Sequence, residues 1–225
     1  MSRLLLNLKL ISWKRWINYF FRIVYIITFL DQEVIIIILG THSLIAKIIY
    51  DHIFKTTGFM LDYAAFAYGN IKPDIENSKF KCDHTFEGSK HIVKAYTEML
   101  TKKRLSVKEF SLNLGIVCHF ICDYFCLQHS KAYWKRNPLA HGIYEIRLHA
   151  EFLSFYNNGI NLRYICKAED NIEDFIIKFR NKYSQDNKGM ITDINYSLVA
   201  AIIISEWIVK SSRIYKEYNS NPIGP

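Results

Sequence analysis

From Thr41 onward, apolar residues recur mostly at spacings of three and four, the repeat of helices that bury one face. Thr41 is placed to cap a helix running to about Phe54, with Leu44, Ile45, Ile48 and Ile49 on one side. Gly69, Asn70 and Pro73 interrupt the pattern and predict a loop. A helical pattern resumes from His84 to about Leu100. Ser106 and Glu109 stand at capping-box spacing ahead of an apolar run from Phe110 to Leu127. The next helix, Gly142 to Asn157, is predicted to stop at Asn158-Gly159. Glu169 to Tyr183 is amphipathic. Asp193 to Tyr218 reads as one last long helix, with Ala200, Ile203, Ile204 and Trp207 facing inward. No strand alternation persists and no repeat is visible. The expected fold class is all-α, a single multi-helix domain over residues 41–225.

Residues 1–40 read differently. The stretch from Ile17 to Leu39 has the length of a membrane span. It contains Arg22, Asp31 and Glu33, each costing roughly 2.5–3.5 kcal/mol near a bilayer centre. As a signal peptide it is poor, because Arg22 breaks the apolar region and no small-x-small site follows. Trp13, Trp16, Tyr19 and Phe20 among Lys14, Arg15 and Arg22 suit a surface anchor. A different reading is a translation start near Leu39, with residues 1–38 absent from the protein.

Composition narrows the function. Half of the residues are hydrophobic and 22% charged, enough apolar material for a sizeable core. With 9 Gly and 4 Pro, a turn-rich β fold or a Gly-rich phosphate loop fits poorly. The net charge of +8 favours anionic partners without choosing among them. Of that charge, +3 lies in residues 1–40, so the helical domain carries an ordinary +5. The 5 Cys are odd in number, and Cys118, Cys122 and Cys126 form a helical stripe. They read as buried small side chains rather than a disulfide framework. Free thiols favour a cytoplasmic or membrane-associated protein over a secreted one.

The histidines carry the chemistry. His119 and Asp123 are four apart on one predicted helix, so an imidazole and a carboxylate share a face and can grip one ion. His141 and Glu145 repeat the arrangement on the next helix, and His129 lies between the pairs. Asp74, His84 and His42 add donors from earlier in the chain. One such pair is common by chance; two that bracket a third histidine are not. Nitrogen and oxygen donors without thiolates suit hydrolytic Zn²⁺, with Mn²⁺ or Fe as alternatives.

The ordered series His42, Asp74, His84, His119-x-x-x-Asp123, His129, His141-x-x-x-Glu145 resembles the zinc-dependent phospholipase C family, which is related to the zinc-dependent single-strand nucleases. The resemblance implies a helical domain with two or three Zn²⁺ ions. Asp74, His84, His119 and Asp123 would hold the first. His129, His141 and Glu145 would hold the second. His42 and Asp123 would hold the third, with Asp123 bridging two ions. In the family the third ion also takes the mature N-terminal residue, often Trp. Here no Trp stands shortly before His42, and forty-one residues precede it.

The activity implied is zinc-dependent phosphodiester hydrolysis. A phospholipase C would release diacylglycerol and a phosphorylated headgroup, with Asp74 doubling as a catalytic proton acceptor. The partners expected are a phospholipid headgroup or another phosphodiester, and a membrane surface. The alternatives are a nuclease or small-molecule phosphodiesterase of the same fold, with nucleic acid as substrate, and a non-catalytic zinc-binding domain. No other cofactor is expected. His149, four after Glu145, reads as a partly exposed histidine or as support for the site; His52 and His91 read as surface residues. Tyr68, Tyr124, Phe125, Tyr133 and Trp134 are read as core aromatics before pocket walls, and Lys131, Lys135 and Arg136 as solvated charge.

Overall fold

The structure, a computed structural model, describes residues 40–76, 80, 82–130, 138–159 and 171–220. The N-terminal anchor, Leu39 start, Lys131, Tyr133, Trp134, Lys135, Arg136 and Glu169 readings lie outside them. Among the described residues there is no strand, and the protein is all-α.

Helix α1 covers residues 40–57 and buries Ile45, Ile48, Ile49 and Ile53 on one side. It stops at Gly58, whose φ of 68° ends a helix without the steric cost a side chain would bring. Helix α2, Tyr63–Ile75, replaces the loop expected around Gly69, Asn70 and Pro73. Asp62 caps it by accepting the Ala65 N–H at 2.9 Å. Pro73 sits inside its last turn, where it gives up the one bond its N–H would have made to the Gly69 carbonyl. Helix α3 spans Phe86–Lys102 with Thr85 as its cap.

Helix α4, Val107–Asp123, starts at the predicted capping box. Ser106 Oγ accepts the Glu109 N–H at 3.2 Å, and Glu109 returns the bond to the Ser106 N–H at 3.0 Å. It ends at Asp123 rather than continuing to Leu127, and the chain tightens into a 3₁₀ turn over Leu127–His129. Helix α5 covers Pro138–Asn157, starting earlier than Gly142 and stopping at Asn158-Gly159 as expected. Helix α6 is Ile172–Gln185, capped by Asn171.

The last predicted helix is two. Helix α7, Met190–Ser211, and helix α8, Arg213–Ser220, meet at Ser212, whose backbone is extended. The Ser212 hydroxyl donates to Val209 O at 2.6 Å and accepts the Tyr215 N–H at 3.3 Å, closing one helix and opening the next. Helix α7 is long and apolar enough to cross a membrane, but most of it is buried against its neighbours. Ala200 and Ile204 are in the core; Ile203 and Trp207 are half-buried against it.

Helix α4 is the central element. Phe110, Leu114, Val117, Phe120 and Ile121 on it are fully buried. Helices α2, α3 and α7 surround it. The closest approach is to α2, through a glycine pair. A Cβ on Gly69 would lie 2.1 Å from Leu112 O, and one on Gly115 would lie 2.3 Å from Phe66 O. Only glycine permits this backbone-to-backbone contact, and it sets Asp74 on α2 beside His119 on α4.

Candidate metal centre

The cluster forms where the C-terminal ends of α2 and α4 meet the start of α1, the segment before α3, the 3₁₀ turn and α5. Six short stretches therefore bring in eight donors that are far apart in sequence. At the centre stands the Asp123 carboxylate. His84 Nδ1 is 3.0 Å and His119 Nε2 3.2 Å from its Oδ2. His129 Nδ1 is 3.7 Å from Oδ2, and His42 Nε2 is 3.7 Å from Oδ1. Asp74 Oδ1 lies 3.5 Å from His84 Nδ1 and 3.7 Å from His119 Nε2, while Asp74 Oδ2 lies 3.8 Å from His42 Nε2.

Glu145 forms a second focus. Its Oε1 is 3.4 Å from His129 Nε2 and 3.5 Å from His141 Nε2. His129 stands between the two foci and turns one ring nitrogen to each. The structure thus brings together His42, Asp74, His84, His119, Asp123, His129, His141 and Glu145, all eight of the expected donors.

These spacings suit zinc. Four N or O ligands arranged tetrahedrally at about 2.0–2.1 Å from one ion lie about 3.3–3.4 Å from each other. Donor atoms of His42, His119 and Asp123, of Asp74, His84 and His119, and of His84, Asp123 and His129 each fall within 4.8 Å of one another. Asp74 Oδ2 and His42 Nδ1 are buried and meet no hydrogen-bond partner, while Asp123 Oδ2 faces only the ring nitrogens of His84, His119 and His129. Buried carboxylate oxygens left in that state are costly unless a cation takes them.

One imidazole is oriented by the backbone. His119 Nδ1–H donates to the Asn70 carbonyl at 2.8 Å, which fixes the tautomer and leaves Nε2 toward Asp74 and Asp123. Asn70 reaches that position because α2 is a helix, not the expected loop.

The electrostatics show how much negative charge is concentrated. Burial disfavours a charged His119, but Asp123 and Asp74 outweigh it and raise the imidazole to about 9. Burial likewise opposes charge on His129, and Asp123 and Glu145 raise it to about 9. His42 goes the other way: burial, with the nearby His119 charge, lowers it to about 4. Burial would raise the two carboxyls, yet the imidazoles around them dominate. Glu145 is held at about 2 and Asp123 well below its ordinary value. Without a cation, protons on His119 and His129 balance the carboxylates. A metal ion would displace them.

Burial grades across the cluster. His119 is fully enclosed and His42, His84, Asp123 and Glu145 are buried; Asp74 and His141 reach the surface and mark the open side. The side residues fall into place around this. Cys118 and Cys122 are buried on the α7 side, with Cys118 Sγ 3.0 Å from Ser205 Oγ. Cys126 is buried too, but it does not merely flank the site: its thiol points to Glu145 Oε1 at 3.8 Å. Its place at the end of the cysteine stripe hid this contact, which comes from the turn after α4. His149 is half-buried and its Nδ1 lies 2.8 Å from Thr41 Oγ1, tying α5 to the first turn of α1. His91 is exposed, and His52 pairs with Glu206 at 2.9 Å. Phe125 is core. Tyr124 is buried against Ser89, and Tyr68 is exposed beside Glu76.

The sequence was compared with known proteins. Neither the curated proteins nor the solved structures contain a match. A family model described as zinc dependent phospholipase C matches residues 41–205, which carry every donor of the cluster. Membership of that family implies zinc dependence and a phospholipid or other phosphodiester substrate. The chain belongs to the zinc-dependent phospholipase C family.

Proposed function

We propose that the protein is a zinc-dependent phospholipase C, cutting a glycerophospholipid into diacylglycerol and a phosphorylated headgroup. The observation that carries this is the Asp123 carboxylate with four imidazole nitrogens 3.0–3.7 Å from its oxygens, beside a second focus at Glu145. We assign Asp74, His84, His119 and Asp123 to one ion, His129, His141 and Glu145 to another, and His42 with Asp123 to a third. Residues 41–225 are taken as the catalytic domain and residues 1–40 as a segment outside it; a family match beginning at residue 41 supports that division.

Bound zinc supplies Lewis acidity, making a water easier to deprotonate and offsetting charge that grows on phosphoryl oxygens. The chain supplies the rest. Asp74 reaches the open side of the cluster, and we assign it the proton of the attacking water. The water oxygen bonds to phosphorus, the phosphorus–glycerol oxygen bond breaks, and the departing oxygen takes a proton. The Asn70 carbonyl holds His119 in one tautomer throughout. The enclosed floor around His119 and Phe120 keeps bulk water from the donors and strengthens their electrostatics.

The test is turnover by zinc-loaded protein on phosphatidylcholine, other phospholipids and single-stranded DNA. Diacylglycerol and a phosphorylated headgroup, lost with EDTA, are expected. Cleavage of DNA alone would replace the phospholipase reading with the nuclease one.

A further inference from the structure

A buried carboxylate outside the eight donors touches both elements that carry the second focus. Asp193 lies in the first turn of α7 and is 1% exposed. Its Oδ2 accepts the Leu127 N–H at 2.9 Å and the Tyr144 hydroxyl at 2.5 Å. Its Oδ1 accepts the Tyr183 hydroxyl at 2.7 Å. Leu127 opens the 3₁₀ turn that ends in His129, and Tyr144 is the residue before Glu145. From these residues we infer that Asp193 is a positioning residue for the second metal site, setting the spacing between His129 and Glu145 from behind.

The 3₁₀ turn is three residues long and has no side-chain cap of its own, so its spacing from α5 depends on bonds that cross between the two. A carboxylate that accepts from both fixes it through two short bonds meeting at one oxygen. Charge-assisted bonds of this kind are stronger and shorter than neutral ones. An asparagine is nearly isosteric, but its NH₂ is a donor and cannot accept from these donors. Asp193→Asn therefore sets a donor against one of the groups it should receive. Burial raises the Asp193 carboxyl, and its three donors and the Lys188 charge oppose that rise. Oriented partners behind metal ligands typically contribute roughly 10–100-fold in metal affinity.

The inference rests on the assignment of His129, His141 and Glu145 to one ion, and the experiment separates the two. Zinc binding to full-length protein is titrated against a chromophoric chelator, for wild type, His141→Ala, Asp193→Asn, Tyr144→Phe and Tyr183→Phe. His141→Ala should lose one equivalent. Asp193→Asn and Tyr144→Phe should weaken that same equivalent by roughly 10–100-fold and leave the others unchanged. Tyr183→Phe, whose partner oxygen reaches neither ligand-bearing element, should change it less. A purely structural role would lower thermal stability without singling out one ion. If Asp193→Asn does not fold, Tyr144→Phe decides alone. Wild-type affinity for every ion in Tyr144→Phe overturns the inference. Retention of every equivalent in His141→Ala overturns the underlying assignment instead, and the inference with it.

Discussion

The two foci of the cluster are built in opposite ways. Around Asp123, Asp74 and His119 ride on two helices locked together by backbone. Gly69 and Gly115 let α2 and α4 touch, and a main-chain carbonyl aims His119. Around Glu145, the donors ride on a short turn and on α5, and side chains hold them: Asp193 bonds to both elements and Cys126 points to Glu145. Backbone contact leaves no freedom to adjust, whereas side-chain bonds can be tuned one at a time. The first focus should therefore fail as a whole, and the second by degrees.

The strongest way to break the comparison is at the glycine pair. A Cβ at either position meets main-chain oxygen, which cannot swing away. Gly69→Ala and Gly115→Ala should each cost about 3 kcal/mol or more, the upper end for overpacking. Urea denaturation measures this. A cost below about 1 kcal/mol would mean that the helices can part freely and that the first focus is not rigid.

A smaller effect should appear in the pH dependence of zinc-stripped protein. His119 and His129 are raised from 6.5 to about 9. Their contribution to stability is complete below pH 6.5 and is lost as pH rises through about 9. His42 is lowered to about 4, so its folded form resists protonation and stability falls as pH drops from 6.5 toward 4. The melting temperature should peak near pH 6.5. Zinc should abolish the alkaline decline, because it takes the place of the protons. A metal-free protein that grows steadily more stable from pH 6.5 to 9 would contradict these signs.

The smallest effect belongs to a residue remote from both foci. Ser106→Ala removes the cap of α4 and should cost about 1 kcal/mol by thermal or chemical unfolding. Zinc content and turnover should stay at wild-type levels. A loss of metal in this variant would show that the ligand face of α4 depends on its far end.

Much of this was legible in the sequence, for local reasons. Helix periodicity located α1 and α3, the Ser106–Glu109 box located the start of α4, and the i, i+4 pairs exposed His119–Asp123 and His141–Glu145. What escaped notice depended on partners distant in the chain. Gly69, Asn70 and Pro73 look like a loop by composition, yet the first two serve a helix that presses on α4. Their signal was the second glycine, Gly115, at the matching place. Ser212 breaks a run that apolar spacing alone would continue. Asp193 sits 66 positions from Leu127 and 49 from Tyr144, and no local pattern links them.

The central claim is that these eight side chains hold zinc for phosphodiester hydrolysis. Elemental analysis of the purified protein, paired with Asp123→Asn, tests it most directly. The wild type should carry two or three zinc ions per chain. Asp123→Asn should lose them from the first focus and lose activity by more than the roughly 10–100-fold typical of an outer-shell partner. A wild-type chain that binds no metal, or an Asp123→Asn protein with full zinc and full turnover, would contradict it.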